Sequence, residues 1–451
     1  MTFITGIPGL VALLICIRRG PERALLDVYI PALLLLPSAY HWMFTGHLGF
    51  NETAIIPIAG FLIVRSWRDW QWSFTDLLIV TYVVLIVTSE YLNNGFDAAR
   101  NLTLQSTCNT IFPYVVAKGI LPRENLYANI AKRIVTCLTI VAILSVYEFR
   151  MGQNLFDKFL SPLFPGQQLS AIFIERYGFL RPAGPYGHAI LAGVVLAIAY
   201  RMDRWLDWGG YWPGRFPFVP ISKVRFTQLW LIAGSIMTLS RGPWLGAAVG
   251  AVVVSVGRAR NRKRAIAAWA LGIILFGMPL FQAGKSYVWV DPDQAATQME
   301  QSAAYRHELL EQYIAIVQER PAWGWGRNNI PVVDGMASID NHYLFLALTF
   351  GEYALAVFVF ILLWMTVRLF AFCAAHHGSI FPGSIAIAFL GIYILIAISI
   401  GTVWLGGQTA QLLFLLSGWS EALILAVPVK STTGEKPAFS PVRPKFQRVM
   451  A

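Results

Sequence analysis

Long apolar runs, separated by short polar or basic segments, recur along the whole 451-residue chain. Where fully developed, each run has roughly the 17 to 25 residues that a helix needs to cross a bilayer. The alternation of apolar and polar residues that marks a membrane β-barrel is absent from the sequence. We therefore predict an all-α, polytopic integral membrane protein with about twelve (11–13) transmembrane helices and a helical outer loop. The predicted spans lie near residues 4–17, 25–42, 53–65, 74–91, 107–121, 129–147, 185–201, 226–240, 242–257, 265–282, 342–372, 379–400 and 408–427.

The composition agrees with this architecture, because 56% of the residues are hydrophobic and only 13% are charged. Water-soluble domains carry about twice that fraction of charged residues. The first apolar run follows no basic residue and is itself followed by Arg18, Arg19 and Arg23, so we expect an uncleaved N-terminal anchor. The four cysteines have neither metal-ligand nor disulfide spacing, which favours small apolar packing residues.

The positive charge is distributed as expected for a membrane protein. If the C-terminal tail is cytoplasmic, alternating spans place 25 of the 35 lysines and arginines inside and the other 10 outside. An excess of basic residues on the cytoplasmic side is the usual topology signal. The net charge of +11 therefore reflects topology and contact with anionic membrane lipids, and we predict no nucleic-acid partner.

The chain is predicted to form one membrane domain over residues 1–429. Two substantial outer loops, at about 148–184 and 283–341, belong to this domain. A basic cytoplasmic tail follows at 430–451, and its composition predicts disorder. We find no internal repeat and no separate soluble domain in the sequence.

The larger outer loop contains its own amphipathic helix, within EQSAAYRHELLEQYIAIVQERP. Arg306 lies four residues before Leu310 and therefore on the apolar face of that helix. A helix of this kind lies on the membrane surface or caps the bundle, which would direct Arg306 toward the cavity beneath it. The segment AWGWGRNN follows, in which Gly324 and Gly326 allow a close backbone approach and Arg327 adds a further donor.

The stretch LSRGPWLG places Arg241 in the middle of an apolar run of about 31 residues. A run of that length is too long for one ordinary span. We therefore interpret SRG as the tight outer turn of a helical hairpin, with Arg241 at the outer membrane–water boundary.

These outer charges suit the chemistry of a lipid-linked diphosphate. Arg241 and Arg306 each present a planar fork that binds phosphate oxygens bidentately and keeps its charge in an apolar setting. Two such forks could stabilise the charge on a departing diphosphate without a metal. In the segment SIDNHYLFLALTFG, Asp340, Asn341 and His342 lie at the mouth of the next span, where His342 or Asp340 could accept a proton from an attacking sugar hydroxyl.

Arg181 and His188, in LRPAGPYGHAI, open another span on the same side and either line the cavity or lie at the membrane interface. Each of the other residues also has a structural alternative: a hairpin cap, an interfacial anchor or a residue of the aromatic belt. Asp291 and Asp293 form a DPD sequence, but three residues are weak support for a metal site. The sequence contains no P-loop, GxGxxG or HExxH motif, and we predict neither a metal nor a cofactor.

Several segments together resemble the O-antigen ligase and O-antigen polymerase superfamily of bacterial envelope glycosyltransferases. They are YEFRMGQNLF at 147–156, RPAGPYGHAILAG at 181–193, LSRGPWLG at 239–246, and AYRHELLEQYIAIVQERPAWGWGRNN followed by SIDNHYLFLALTFG. Their order and spacing cover about half of the chain. The resemblance implies a multi-span enzyme of the bacterial inner membrane that acts on the periplasmic side without a metal. Its donor would be an undecaprenyl-diphosphate-linked glycan, and its acceptor a lipid A core or a growing polysaccharide.

The resemblance also implies roles for individual residues. Arg241 and Arg306 match the two arginines that hold the diphosphate in this superfamily. Its ligases have a His–Asn pair after the long loop, with the histidine as the presumed base, whereas this chain has Asp340–Asn341 there and His342 one residue later. This Asp–Asn form is similar to members associated with exopolysaccharide polymerisation, so ligation and polymerisation both remain open.

We therefore predict a metal-independent membrane glycosyltransferase of the O-antigen ligase or polysaccharide polymerase type. Two other classes of function remain as alternatives: a transporter or flippase of lipid-linked sugars, and a non-catalytic component of a polysaccharide assembly complex. A transporter should carry ionisable residues deep within its spans, where Asp27, Asp76, Glu352 and Glu421 are the candidates. Concentration of the unusual charges at one outer level favours the enzyme.

Overall fold

A computed structural model describes residues 2–42, 48–124, 126–169, 175–217, 220–277, 298–336, 338–376 and 383–426. The predicted tail at 430–451 and the DPD pair, Asp291 and Asp293, lie outside the described residues. The described part is mostly helical, as the hydrophobic pattern predicts. The described α-helices are α1 (Ile7–Arg19), α2 (Pro21–Ala24), α3 (Ile30–Leu35), α4 (Phe50–Ser66), α5 (Phe74–Ser106), α6 (Phe112–Glu124), α7 (Tyr127–Met151), α8 (Leu155–Leu160), α9 (Ala189–Trp208), α10 (Lys223–Met237), α11 (Arg241–Arg258), α12 (Arg262–Gly272), α13 (Gln298–Glu319), α14 (His342–Phe350), α15 (Glu352–Ala375), α16 (Gly383–Ser399) and α17 (Gly407–Ala426).

Short π-helical turns extend several of these helices. They lie at Leu25–Tyr29, Thr107–Ile111 and Ile273–Gly277, so that α2 continues into α3, α5 into α6, and α12 beyond Gly272. The described strands form two antiparallel hairpins of two residues each: β1 (His41–Trp42) with β2 (Leu48–Gly49), and β3 (Glu175–Arg176) with β4 (Phe179–Leu180). Such short strands belong to connecting loops and build no sheet-based core.

Five of the described helical segments are long and apolar enough to cross a membrane on their own. They are Phe74–Pro122, Tyr127–Met151, Glu352–Ala375, Ser384–Thr402 and Gly407–Ala426. The result supports an all-α membrane protein, while the predicted number of about twelve spans stays a prediction. Other predicted spans coincide with shorter helices such as α4, α10 and α11, which have 17, 15 and 18 residues.

The longest segment, Phe74–Pro122, is a hairpin and not one straight helix. Lys118 Nζ lies 2.7 Å from the carboxylate of Asp76, although the two residues are 42 positions apart. Along a straight helix that separation would be about 63 Å. The chain reverses near Gly95, whose φ of 80° and ψ of −174° interrupt α5. Glycine adopts this backbone conformation without a steric penalty.

Two buried ion pairs tie helices together at the end of the bundle that we predict to face the cytoplasm. Lys118 pairs with Asp76, and Arg368 of α15 pairs with the fully buried Glu421 of α17. The hydroxyl of Thr75, the residue before Asp76, donates to Glu421 over 2.9 Å and accepts from Arg368 over 3.1 Å. Asp76 and Glu421 therefore each have a basic partner. Such pairing fits a role in holding the helices together better than a polar pathway for transport.

The predicted hairpin around SRG is confirmed. α10 ends at Met237, α11 begins at Arg241, and residues 238–240 form the turn. α11 packs against α16 through glycines, because a Cβ at Gly250 would lie 2.5 Å from the carbonyl oxygen of Gly391. This close approach fixes the position of the turn relative to the bundle.

The predicted helix of the larger outer loop is also confirmed, as α13. Its apolar residues Leu309, Tyr313 and Val317 are buried in one cluster with Leu344 and Leu348 of α14. α13 therefore packs onto α14. We call the end of the bundle that carries residues 175–188, residues 238–241, α13 and residues 338–342 the outer end, following the predicted topology.

One predicted span differs in the structure. The sequence predicts a single span over 342–372, but α14 ends at Phe350 and α15 begins at Glu352. Gly351, between them, has φ 87°, and a Cβ there would lie 2.2 Å from the carbonyl oxygen of Ala322. The loop after α13 thus approaches the backbone so closely that the helix breaks at this glycine.

Candidate functional site

The turn that presents Arg241 has an unusual backbone conformation. Leu239 has φ 48°, in the left-handed region that disfavours residues with a branched side chain. Ser240 is extended, and the helix α11 begins at Arg241. A conformation of this kind persists only where surrounding contacts hold it, and such positions cluster at functional sites.

Two arginines from the smaller outer loop hold this turn. Arg176 Nη1 donates to the carbonyl oxygen of Leu239 over 2.6 Å. Arg181 Nε donates to the carbonyl oxygen of Thr238 over 3.0 Å, and its Nη2 donates to Ser240 Oγ over 2.8 Å. Arg181 is buried, so these hydrogen bonds replace its lost hydration.

The loop that carries Arg181 is itself fixed by a buried carboxylate. Glu148, near the end of α7, accepts hydrogen bonds from the backbone N–H groups of Ala183 and Gly184, each over 3.0 Å. Asn154 donates to Glu148 over 3.1 Å and to the carbonyl oxygen of Gly184 over 2.8 Å. Glu148 and Asn154 thus anchor residues 183–184, which follow closely after Arg181.

Arg241 and Arg306 differ from these two arginines. Both are half-buried, and within the described part of the chain neither guanidinium has a hydrogen-bond or ion-pair partner. Yet the two lie in electrostatic contact with each other, and Arg306 also with Asp340. A guanidinium has five N–H donors, so the pair offers many donors to a ligand.

The charges around these residues form one arginine cluster: Arg176, Arg181, Arg241 and Arg306, together with the carboxylate of Asp340. With four arginines against one carboxylate, the cluster has a formal charge of +3. Burial lowers the pKa of Arg181 to about 10, and the other three arginines act in the same direction while Asp340 opposes them. Burial also lowers the pKa of Arg306. Gathering like charges in a half-buried site is unfavourable unless an anion offsets them, so the cluster is suited to bind a multiply charged anion.

Asp340 is held in the cluster by neighbours in its own loop. Ser338 Oγ donates to Asp340 Oδ1 over 3.0 Å. The hydroxyl of Tyr305, one residue before Arg306, donates to the carbonyl oxygen of Ser338 over 2.8 Å. These contacts fix residues 338–340 against α13, on the side where Arg306 lies.

The other two residues of the Asp–Asn–His sequence have different surroundings. Asn341 is the N-cap of α14, and its side chain accepts hydrogen bonds from the N–H groups of Tyr343 and Leu344 over 3.0 and 3.2 Å. His342 is 5% exposed and packs edge-to-face against Phe358 with ring centroids 5.0 Å apart. The His342 ring is also stacked on Phe345, with ring centroids 6.3 Å apart. The imidazole is therefore enclosed by aromatic rings.

His188 lies beside the arginine cluster, in electrostatic contact with Asp340, Arg181 and Arg306. It caps α9, because its Nδ1 accepts the N–H of Ile190 over 3.2 Å. A neutral imidazole that accepts at Nδ1 carries its proton on Nε2, so His188 can offer a hydrogen-bond donor.

The remaining predicted residues, in AWGWGRNN, lie in a tightly packed loop. Gly324 and Gly326 both have positive φ, and a Cβ on Gly324 would lie 2.6 Å from the carbonyl oxygen of Leu348. Arg327 forms an ion pair with the buried Glu90 of α5 over 3.2 Å and donates to Gln105 over 3.0 Å. The close backbone approach predicted for the glycines is present, and the Arg327 side chain is committed to α5.

A largely apolar groove of about 710 Å³ adjoins this region. It runs between α13 on one side and α14 and α15 on the other, from Asn341 to Leu363. Leu310 and Ile314, which line it, lie one and two turns after Arg306 on α13 and are 39% and 48% exposed. At Asn341 the groove is therefore close to Asp340 of the arginine cluster, and from there it extends along the spanning helix α15.

Sequence reasoning did not single out Arg176, Glu148 or Gly351. Glu148 stood within a segment used for the resemblance, and a carboxylate near the end of an apolar run was the signal that could have identified it. Arg176 has no such signal, because its importance comes from a contact with Leu239, 63 positions later.

Comparison with known proteins covers the part of this site that contains Arg241, Arg306 and Asp340. Residues 226–359 match the family model described as O-Antigen ligase. The match includes Arg241, Arg306 and Asp340 and confirms, over this segment, the resemblance expected from the sequence. Together with the apolar helices it supports a multi-pass bacterial membrane protein of polysaccharide biosynthesis. No curated protein matches the chain.

Proposed function

Because residues 226–359 match the O-antigen ligase family, we propose that this chain transfers a glycan from a polyprenyl diphosphate carrier to a sugar hydroxyl. The reaction would take place at the periplasmic face of the bacterial inner membrane, where the basic-residue distribution predicts the outer end to lie. The observation that carries the proposal is the pair of half-buried guanidinium groups, Arg241 and Arg306, for which the described residues provide neither a hydrogen bond nor an ion pair within 4 Å.

In this proposal Arg241 and Arg306 bind the diphosphate. Each guanidinium donates in a planar fork to phosphate oxygens, and together they offset the charge that grows on the leaving diphosphate. The net charge of the arginine cluster supports this role, since an anion relieves the mutual repulsion of the arginines. Arginine serves here without any change of protonation, because a guanidinium keeps its positive charge at neutral pH.

The carrier's polyprenyl tail would occupy the apolar groove between α13 and α15. The groove begins at Asn341, next to Asp340. The polyprenyl tail of a carrier whose diphosphate is bound by the arginines could therefore enter the groove directly at that point. Its lining of leucine, isoleucine, valine and phenylalanine side chains suits a hydrocarbon chain.

Asp340 is the residue we propose as the general base. The acceptor hydroxyl attacks the anomeric carbon of the donor sugar, and the bond from that carbon to the diphosphate oxygen breaks. The hydroxyl proton passes to the Asp340 carboxylate, and the electron pair of the broken bond remains on the diphosphate held by Arg241 and Arg306. The aromatic enclosure of His342 argues against the alternative base.

The proposal is tested by reconstituting the full-length protein in liposomes with an undecaprenyl-diphosphate-linked glycan. Two acceptors are compared, a second copy of the donor and a lipid A core. We expect Arg241→Ala and Arg306→Ala to lower transfer by at least about a hundredfold, because each removes charge stabilisation of the leaving group. Arg100→Ala removes an exposed arginine paired with Asp97 and is the matched control.

The products distinguish the reaction types. Growth of the polymer on the donor alone identifies a polymerase, and transfer to the lipid A core identifies a ligase. Transfer by the Arg306→Ala variant at the wild-type rate would contradict the proposal. So would movement of the intact donor across the bilayer without any new glycosidic bond, which would identify a transporter.

A further inference from the structure

We propose that Arg176, in the β3–β4 hairpin, is a positioning residue that directs Arg241 toward the donor by holding the turn at Leu239. This inference rests on the proposed function, since it assigns a role in the same site. It concerns a residue outside the segment that matches the O-antigen ligase family. The hairpin of the smaller outer loop would thereby form part of the machinery of the reaction.

The backbone conformation at Leu239 requires stabilising contacts from outside the turn. In the left-handed region the backbone of a leucine is strained, with about a tenfold preference for another conformation. If Leu239 relaxed to its preferred region, the next residues would rotate and α11 would begin with Arg241 at a different angle. The aim of the Arg241 guanidinium therefore depends on keeping φ of Leu239 at 48°.

The contacts at the turn show how it is kept there. The bond of 2.6 Å from Arg176 to the carbonyl oxygen of Leu239 is the shortest contact that holds the turn. Arg181 holds the two flanking residues, Thr238 and Ser240. Charge-assisted hydrogen bonds are the stronger kind, and three of them on consecutive residues can offset the backbone strain at Leu239.

The positive charge of Arg176 indicates more than an architectural role, because a neutral hydrogen-bond donor could hold the turn without adding repulsion. Arg176 lies in electrostatic contact with both Arg181 and Arg306, so its charge adds to the repulsion within the arginine cluster. When an anionic donor is bound, its attraction for the arginines offsets this repulsion. The hairpin therefore holds the turn most firmly when the diphosphate is bound, which couples donor binding to the aim of Arg241.

The competing possibility is that Arg176 binds the diphosphate directly. The two roles respond differently to a change at Leu239. Glycine adopts a positive φ without strain, so Leu239→Gly removes the need for a holder but leaves a direct contact with substrate unchanged. A double-mutant cycle between the two positions therefore separates the roles.

The experiment measures kcat and the donor KM of the reconstituted protein for wild type, Arg176→Met, Leu239→Gly and the double variant. We expect Arg176→Met to lower kcat about tenfold in the wild-type background, as lost positioning of one charge-stabilising group implies. In the Leu239→Gly background the same change should lower kcat by less than about threefold. The donor KM should rise with Arg176→Met in both backgrounds, because a positive charge is lost in both.

Leu239→Asn provides a second background if the glycine variant inserts poorly, since asparagine also tolerates positive φ. Arg150→Met removes an exposed arginine at the end of α7 and is the matched control for charge. An equal loss of kcat on Arg176→Met in all three backgrounds would overturn the positioning role. That outcome is distinct from failure of the proposed function, which would appear as undiminished transfer by Arg241→Ala.

Discussion

The carboxylate of Asp340 interacts electrostatically with Arg181 and Arg306 of the arginine cluster, and this predicts two opposite effects of one substitution. In Asp340→Asn the carboxylate is lost but the shape and the hydrogen bond from Ser338 can be kept. The diphosphate then no longer faces a nearby negative charge, so the donor should bind more tightly. Turnover should fall at the same time, because the proposed base is gone.

The size of the binding effect follows from the charges involved. Two unit charges about 8 Å apart interact by roughly 2 kcal/mol at an effective dielectric constant of about 20. Asp340 is half-buried, so solvent screening reduces this by about half. About 1 kcal/mol remains, which tightens donor binding roughly fivefold. Loss of a general base lowers turnover by about a hundredfold or more.

Donor affinity is measured by titrating undecaprenyl diphosphate into the purified protein, and turnover by glycan transfer in liposomes. Asp334→Asn is the matched control, since Asp334 lies exposed in the same outer loop. It should change neither quantity by more than about twofold, because exposed charges are strongly screened. Weaker donor binding by Asp340→Asn, with turnover unchanged, would refute both roles of this carboxylate.

Two further predictions concern the surrounding structure. Gly351→Ala should lower the midpoint of thermal unfolding in detergent by several degrees, because its Cβ would clash with the carbonyl oxygen of Ala322; an unchanged midpoint would contradict this packing. His342→Leu should retain transfer within about threefold, since the imidazole is buried and enclosed by aromatic rings; a hundredfold loss of transfer would identify His342 as the base.

The elements that could be predicted from the sequence are those in which a local pattern determines the structure. An apolar run of about 31 residues exceeds one span, so the turn before Arg241 follows from length alone. The apolar spacing within α13 likewise predicts both the helix and the face that carries Arg306.

The break at Gly351 could not be predicted in the same way. Residues 342–372 are mostly apolar and long enough for one span, and a glycine within such a segment is compatible with a helix. The helix ends there because the carbonyl of Ala322, 29 positions earlier, lies against the glycine. Contacts between segments so far apart leave no periodic signal.

The choice between Asp340 and His342 illustrates a further limit. On one helix, residues two positions apart are related by a rotation of about 200° about the helix axis and lie on nearly opposite faces, but only His342 belongs to α14. Asn341 caps that helix and Asp340 precedes it, so a helical argument does not apply to the aspartate. Where the helix starts decides which side chain faces the arginine cluster, and helix boundaries are the least predictable feature of a sequence.

The paired guanidinium groups can be tested most directly by comparing the affinities of purified protein for undecaprenyl diphosphate and undecaprenyl monophosphate. If Arg241 and Arg306 together bind the two phosphates, wild type should prefer the diphosphate by at least about tenfold. That preference should disappear in Arg241→Ala and in Arg306→Ala, while the affinity for the monophosphate changes less. Equal affinity of wild type for the two lipids, or a preference that survives both substitutions, would contradict the proposed diphosphate site.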